Sequence, residues 1–140
     1  MKTYEDYLEE YIELVIKLAD YDKASNIVND ESYNYKVSLK IGKKINSLAK
    51  RLINMDIEKF IKLLDHDNIL VRENSAEYLY PLYPNKCLNI MIEYSNGIEK
   101  ELDKIKINSK IQGLKKKNPF FEKLYKELYN VNDLASLNKE

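Results

Sequence analysis

The sequence predicts an all-α protein of about six or seven helices, and three observations carry that expectation. Apolar residues recur at spacings of three and four along nearly the whole chain. Only three glycines and three prolines punctuate 140 residues, too few for the turns of an all-β protein. Charged residues make up 33% and hydrophobic ones 44%, which furnishes one modest core beneath solvated helix faces. With no linker or low-complexity tract in between, residues 1 to 130 read as a single domain followed by a frayed tail over 131 to 140.

The first helix is predicted over about residues 3 to 20. Tyr4, Tyr7, Leu8, Tyr11, Leu14, Val15 and Leu18 share one face, and Thr3 with Asp6 forms a shortened capping box at its start. At 100° per residue, Glu5, Asp6, Glu9, Glu10, Glu13 and Asp20 fall within roughly 140° of arc opposite that face. A turn at Asn29 and Asp30 precedes the second helix, predicted over about 32 to 54 with Val37, Ile41, Ile45, Leu48, Ala49 and Leu52 inward. Its other face is basic: Lys36, Lys40, Lys43, Lys44, Lys50 and Arg51 project within about 120°. Gly42 interrupts this helix, where a close helix neighbour would need the room.

Asp56 caps a third, short helix carrying Ile57, Phe60, Ile61 and Leu64, which ends at the Asp65-His66-Asp67 turn. Asn68 caps a fourth with Val71, Ala76, Leu79 and Tyr80, stopped or kinked near Pro81 because proline lacks an amide donor and clashes with the preceding turn. Pro84 opens a fifth, with Cys87, Leu88, Met91 and Ile92 expected inside and Gly97 past its end. Ile98, Leu102, Ile105, Ile111 and Leu114 predict a sixth helix, interrupted near Asn108 or Gly113. Asn118-Pro119 starts a seventh with Phe120, Phe121, Leu124, Tyr125 and Leu128.

Charge narrows the functional classes. The chain is balanced, with 23 basic and 23 acidic residues, yet residues 1 to 31 hold three lysines against nine carboxylates. Zero net charge gives no general attraction to nucleic acid or to a membrane surface, and no apolar run reaches the length of a membrane span. A charged rather than apolar start argues against a secretory signal, so the expected location is cytoplasmic. The single Cys87 and single His66 leave metal sites and nucleophile–base pairs without their parts. Neither a cofactor, a metal nor a small-molecule substrate is expected, and the protein is not read as an enzyme.

The stretch from Phe60 to Met91, FIKLLDHDNILVRENSAEYLYPLYPNKCLNIM, resembles a HEAT-type repeat. The matching residues are Leu63, Leu64, Asp65, Asn68, Val71, Arg72, Ala76 and Leu79. Together with the preceding SLKIGKKINSLAKRLINM, the order of elements is similar over about residues 20 to 95 to a small bacterial HEAT-like family, domain of unknown function 2019. The resemblance implies a compact helical solenoid whose task is to bind another macromolecule, and some small helical proteins of this sort look like immunity partners of bacterial toxins.

Two faces are therefore candidates. The acidic stripe, with Glu5, Asp6, Glu9, Glu10 and Glu13, would attract a basic protein such as a toxin domain that cleaves nucleic acid, and block it sterically. Tyr78 and Tyr83, beside the proline turn, would add aromatic anchors. The alternative uses the basic face of Lys36, Lys40, Lys43, Lys44, Lys50 and Arg51, with the Lys115-Lys116-Lys117 run, to contact phosphates. Both faces also have a plain reading as solvated or mutually complementary surfaces. Arg72 is expected to pair with Asp65 or to cap carbonyls, and Cys87 to be buried and inert.

Overall fold

Thr3 and Asp6 start the first helix by reciprocal capping: the Thr3 N–H donates to Asp6 Oδ2 at 2.8 Å and the Asp6 N–H to Thr3 Oγ1 at 3.3 Å. In the computed structural model, which describes residues 1–24 and 35–140, this helix, α1, runs Tyr4–Ala24 and extends about a turn beyond its predicted end. The predicted turn at Asn29 and Asp30 and the predicted start of the next helix lie outside the described residues. The helix α2 spans Tyr35–Met55 and α3 spans Ile57–Ile61, after which the chain tightens into a 3-10 turn, Lys62–Asp65. The remaining helices are α4 (Ile69–Leu79), α5 (Pro84–Asn96), α6 (Glu101–Lys115) and α7 (Pro119–Tyr129), with a last 3-10 turn at Leu134–Leu137. The described residues thus form an all-α protein of seven helices, without a strand.

The chain divides into two compact units, Met1–Leu63 and Leu64–Glu140. In the first, α1 packs along α2, and α3 lies against α2. Tyr11, Leu52 and Phe60 are fully buried, and the Tyr11 and Phe60 rings meet at 5.7 Å and 60°. Asp56 caps α3 as the sequence predicts, its carboxylate accepting the Lys59 N–H at 3.1 Å. Val37 is a correction: it is exposed, because it sits in the first turn of α2, one turn before the buried stripe begins at Ile41.

Gly42 is a second correction. A Cβ placed there meets nothing within 4 Å, so no neighbour requires the glycine. The opposite holds at Gly113, where a Cβ would stand 2.7 Å from Phe121 Cε2. Gly42→Ala is therefore expected to raise stability by about 0.5–1 kcal/mol through helix propensity. Gly113→Ala should lose that gain and cost about 1–2 kcal/mol net, because the Phe121 ring has to move. Urea unfolding of the two variants checks the contrast in sign.

In the second unit, short connections make α4, α5 and α6 successive neighbours. Asn68 caps α4 by accepting the Leu70 N–H at 2.8 Å, and Val71, Ala76, Leu79, Cys87 and Met91 are buried. The helix α6 is continuous, contrary to the expected interruption. Its two suspected breakers are packing positions: Asn108 accepts a hydrogen bond from the Ser95 hydroxyl of α5 at 2.8 Å, and Gly113 admits Phe121. Its buried stripe is Ile107, Ile111 and Leu114, which leaves the expected Leu102 and Ile105 on the far side of the helix and exposed. Ile92 of α5, and Phe120 and Leu124 of α7, are likewise exposed rather than buried, because Ile90 with Met91 and Tyr125 define the inward faces.

Pro81 explains how α7 is attached. A helical residue at 81 would donate its N–H to the Glu77 carbonyl, and proline has none to give. The Leu82 N–H bonds to the Leu79 carbonyl instead, at 3.0 Å, so the Tyr78 carbonyl also loses its helical donor. The hydroxyls of Tyr125 and Tyr129, one turn apart on α7, donate to these two orphaned acceptors: Tyr125 to the Glu77 carbonyl, and Tyr129 to the Tyr78 carbonyl at 2.6 Å. Residues 131–140, predicted to fray, are docked for a similar reason. The Lys139 N–H donates to the Leu82 carbonyl at 2.8 Å, and the Glu140 carboxylate accepts the first-turn amides of Asn85 and Lys86 at 2.7 and 3.1 Å.

Candidate functional site

The acidic face of α1 and the basic face of α2 belong to the same unit, and part of each is spent on the other. Glu10 accepts Lys44 Nζ at 2.8 Å and lies 3.6 Å from Lys2 Nζ, and these contacts, led by the hydrogen bond from Lys44, hold its carboxyl below the usual range. Glu5 pairs with Lys59 of α3 at 3.2 Å, and its carboxyl is lowered by a backbone hydrogen bond first and by Lys59 second. Asp6 is occupied in capping Thr3, which lowers its carboxyl in turn. Arg51 leaves the basic face to lie over the Tyr7 ring at 4.7 Å and to donate to the Tyr7 hydroxyl at 3.1 Å.

What faces outward is a smaller set. Glu9 and Glu13 are exposed and have no ion pair or hydrogen bond from their carboxylates among the described residues. On α2, Lys40, Lys43 and Lys50 are equally exposed and unpaired among the described residues, and Lys36 is exposed as well. Three lysines along ten residues of helix extend about 15 Å. No acidic residue occurs anywhere in Tyr35–Met55 to interrupt this face.

The other candidates have structural duties. Tyr78 is half-buried, and burial first, then the charges of Glu77 and Glu73, push its hydroxyl up. Tyr83 occupies the N-cap of α5, its carbonyl accepting the Cys87 N–H at 2.9 Å. Arg72 caps carbonyls rather than pairing with Asp65: it donates to the His66 and Asp67 carbonyls at 2.8 and 3.1 Å and to Glu93 at 3.1 Å, while Asp65 pairs with Lys86. His66 Nδ1 accepts the Asn68 N–H at 3.0 Å within the same turn. Cys87 is buried, and burial pushes its thiol up to about 12, which keeps it from the thiolate form. The lysines at 115 to 117 end α6, where cations complement the negative pole of the helix.

No family model, curated protein or solved structure matches the chain. The two helices of the HEAT-type stretch fall in different units, α3 beside α2 and α4 beside α5. No described helix is long and apolar enough to cross a membrane, and no cluster of three or more His, Cys, Asp or Glu among the described residues could hold a metal.

Two features of the second unit are absent from the sequence reading. One is an open groove of about 390 Å³ floored by Tyr80, Pro81, Pro84, Leu114, Phe121 and Tyr125. The other is a partly buried charge cluster. Glu73 and Glu77 stand one turn apart on α4, and Lys110 of α6 donates to Glu77. Glu73 is only 7% exposed, and its Oε1 atom is buried without a hydrogen-bond partner. The position of Glu73 in the line Val71, Ala76, Leu79 gave no signal, because an i, i+4 pair of glutamates reads as a solvated face until α5 and α6 cover it.

Proposed function

We propose that the protein is a non-catalytic protein-binding module of immunity type, which binds a basic bacterial toxin domain and blocks it sterically. The observation that carries this reading is the outward pair Glu9 and Glu13, without ion-pair or hydrogen-bond partners among the described residues while Glu5, Asp6 and Glu10 are engaged. Exposed carboxylates on a firmly capped helix steer a cationic partner into encounter and fix its register at little cost in desolvation. The resemblance of residues 60 to 91 to a HEAT-type repeat points to the same role, since stacked repeats of that kind form extended binding surfaces.

A second reading rests on Lys40, Lys43 and Lys50, a stripe with no acid on its own helix. It would contact a phosphate backbone, with the repulsion of α1 set against it.

Affinity capture from the native host with and without nuclease separates the two. A single basic protein retained in stoichiometric amount after nuclease treatment supports the first reading, provided its association depends on α1. With that protein, the double variant Glu9→Gln/Glu13→Gln is expected to slow association several-fold at low salt and to flatten its salt dependence, with dissociation little changed. Unchanged association rates would remove the acidic face from the mechanism. Nucleic-acid-dependent capture, with a salt slope reduced by about one for each of Lys40, Lys43 and Lys50 replaced by Gln, would establish the second reading instead.

A further inference from the structure

The charge cluster of the second unit has a buried inner end and an open outer one: Glu73 is 7% exposed, whereas the side chains of Glu77 and Lys110 keep 24% and 38% of their surface. Two carboxyl groups, Glu73 and Glu77, stand one turn apart on α4, and among the described residues one cation, Lys110 from α6, acts on both, bonded to Glu77 and through its charge on Glu73. Lys110 donates to Glu77, which is partly exposed; Glu73 lies deeper, and nothing donates to its Oε1. Among the described residues, the other titratable groups facing the pair supply no second positive charge. These are Tyr78 on α4, Tyr94 on α5, and Tyr125 on α7, whose hydroxyl is already committed to the Glu77 carbonyl. Asp103 of α6 acts on Tyr94 and is likewise negative.

We propose that Glu73 and Glu77 share one proton, Glu73 as the carboxylic acid donating to the Glu77 carboxylate and Lys110 neutralising the pair, and that this proton is a latch holding α4 to α6. With the proton in place the cluster is neutral. Without it, two carboxylates one turn apart face one ammonium group, and the inner carboxylate is left charged and undersolvated. Burial first, and then the charge and hydrogen bond of Glu77, raise the Glu73 carboxyl well above the ordinary glutamate range, while Lys110 works the other way. Burial opposes the charge on Lys110, but Glu77 and Glu73 outweigh it and raise the ammonium above the ordinary lysine range.

The sign of the pH dependence follows from Glu73. A group whose folded value lies above its unfolded value contributes stability that is complete below the unfolded value and is lost as pH rises through the folded one. The second unit should therefore tighten in mild acid and loosen toward alkaline pH. Between those two values the unfolding constant gains up to about tenfold per pH unit from this group alone.

The test is urea unfolding of the full chain across mildly acidic to alkaline pH, comparing the wild type with Glu73→Gln. Glutamine keeps the size and the donor to Glu77 and cannot ionise. The stability difference between variant and wild type is expected to move steadily in favour of the variant as pH rises. Parallel profiles for the two proteins would overturn the proposal. Because the variant could fail to fold, a ¹³C NMR titration of the glutamate carboxyl carbons in the wild type gives an independent reading. One carboxyl titrating well above the rest, and missing from Glu73→Gln where that variant folds, supports the shared proton; all glutamates titrating in the ordinary carboxylate range overturns it.

Discussion

Phe60→Ala is expected to destabilise the first unit by about 3–5 kcal/mol. The ring is 0% exposed and sits 5.7 Å from the ring of Tyr11, which is itself fully buried, so truncation removes both the transfer energy of the aromatic group and its edge contact with a neighbour. Surrounding side chains from α1 and α2 are held on helices of 21 residues each and cannot collapse far into the space. A unit of this size has a total stability on the order of 5 kcal/mol, so the substitution approaches global unfolding of that unit. Circular dichroism during urea unfolding reads the loss directly, and Phe60→Leu, which keeps most of the volume, should retain the fold with a loss of about 1 kcal/mol. A cost for Phe60→Ala within about 0.5 kcal/mol of zero would contradict the burial of Phe60.

The second large effect is expected at Tyr125, and here two substitutions separate two causes. Tyr125→Ala removes a buried ring that also packs on Tyr80 at 6.2 Å, and should cost about 3–5 kcal/mol. Tyr125→Phe keeps the ring and deletes only the donor to the Glu77 carbonyl, the acceptor that Pro81 leaves without a helical partner. An unsatisfied buried acceptor costs about 1–3 kcal/mol, and since this bond is part-buried the phenylalanine variant should lose about 1 kcal/mol, a measurable part of the total. The proline explanation adds a control. Pro81→Ala would give Glu77 its own backbone donor, and Tyr125→Phe made in that background should cost less than in the wild type. Equal costs in both backgrounds would show that the hydroxyl does not serve the carbonyl freed by the proline.

Most helix starts could be read from local chemistry. Thr3 with Asp6, Asp56, Asn68, Pro84 and Asn118-Pro119 all act within four residues of where they stand, and each begins a helix as predicted. Helix interiors were less legible. Gly42, Asn108 and Gly113 carry the same warning in sequence, yet Gly42 faces open space, Asn108 receives Ser95 and Gly113 receives Phe121. What distinguishes them is a neighbour far away in the chain.

The charged faces divide along the same line. Their positions on α1 and α2 follow from a period of 3.6 residues, and the stripes of Glu9, Glu13, Lys40, Lys43 and Lys50 are where that period places them. Which charges remain available follows from packing alone, since it is the approach of the helices that gives Glu10 to Lys44, Glu5 to Lys59 and Arg51 to Tyr7. The clearest case is Glu73. Its i, i+4 neighbour and its helix were evident in the sequence, but a carboxyl group becomes a proton store only when water is removed from it, and that is done by α5 and α6. The sequence by itself therefore determined the all-α class, the helix starts and the two charged faces, because these depend on short-range geometry. Only the tertiary structure decided which acids are paired, which are free and which are buried, because desolvation and long-range pairing depend on residues the chain brings together from a distance.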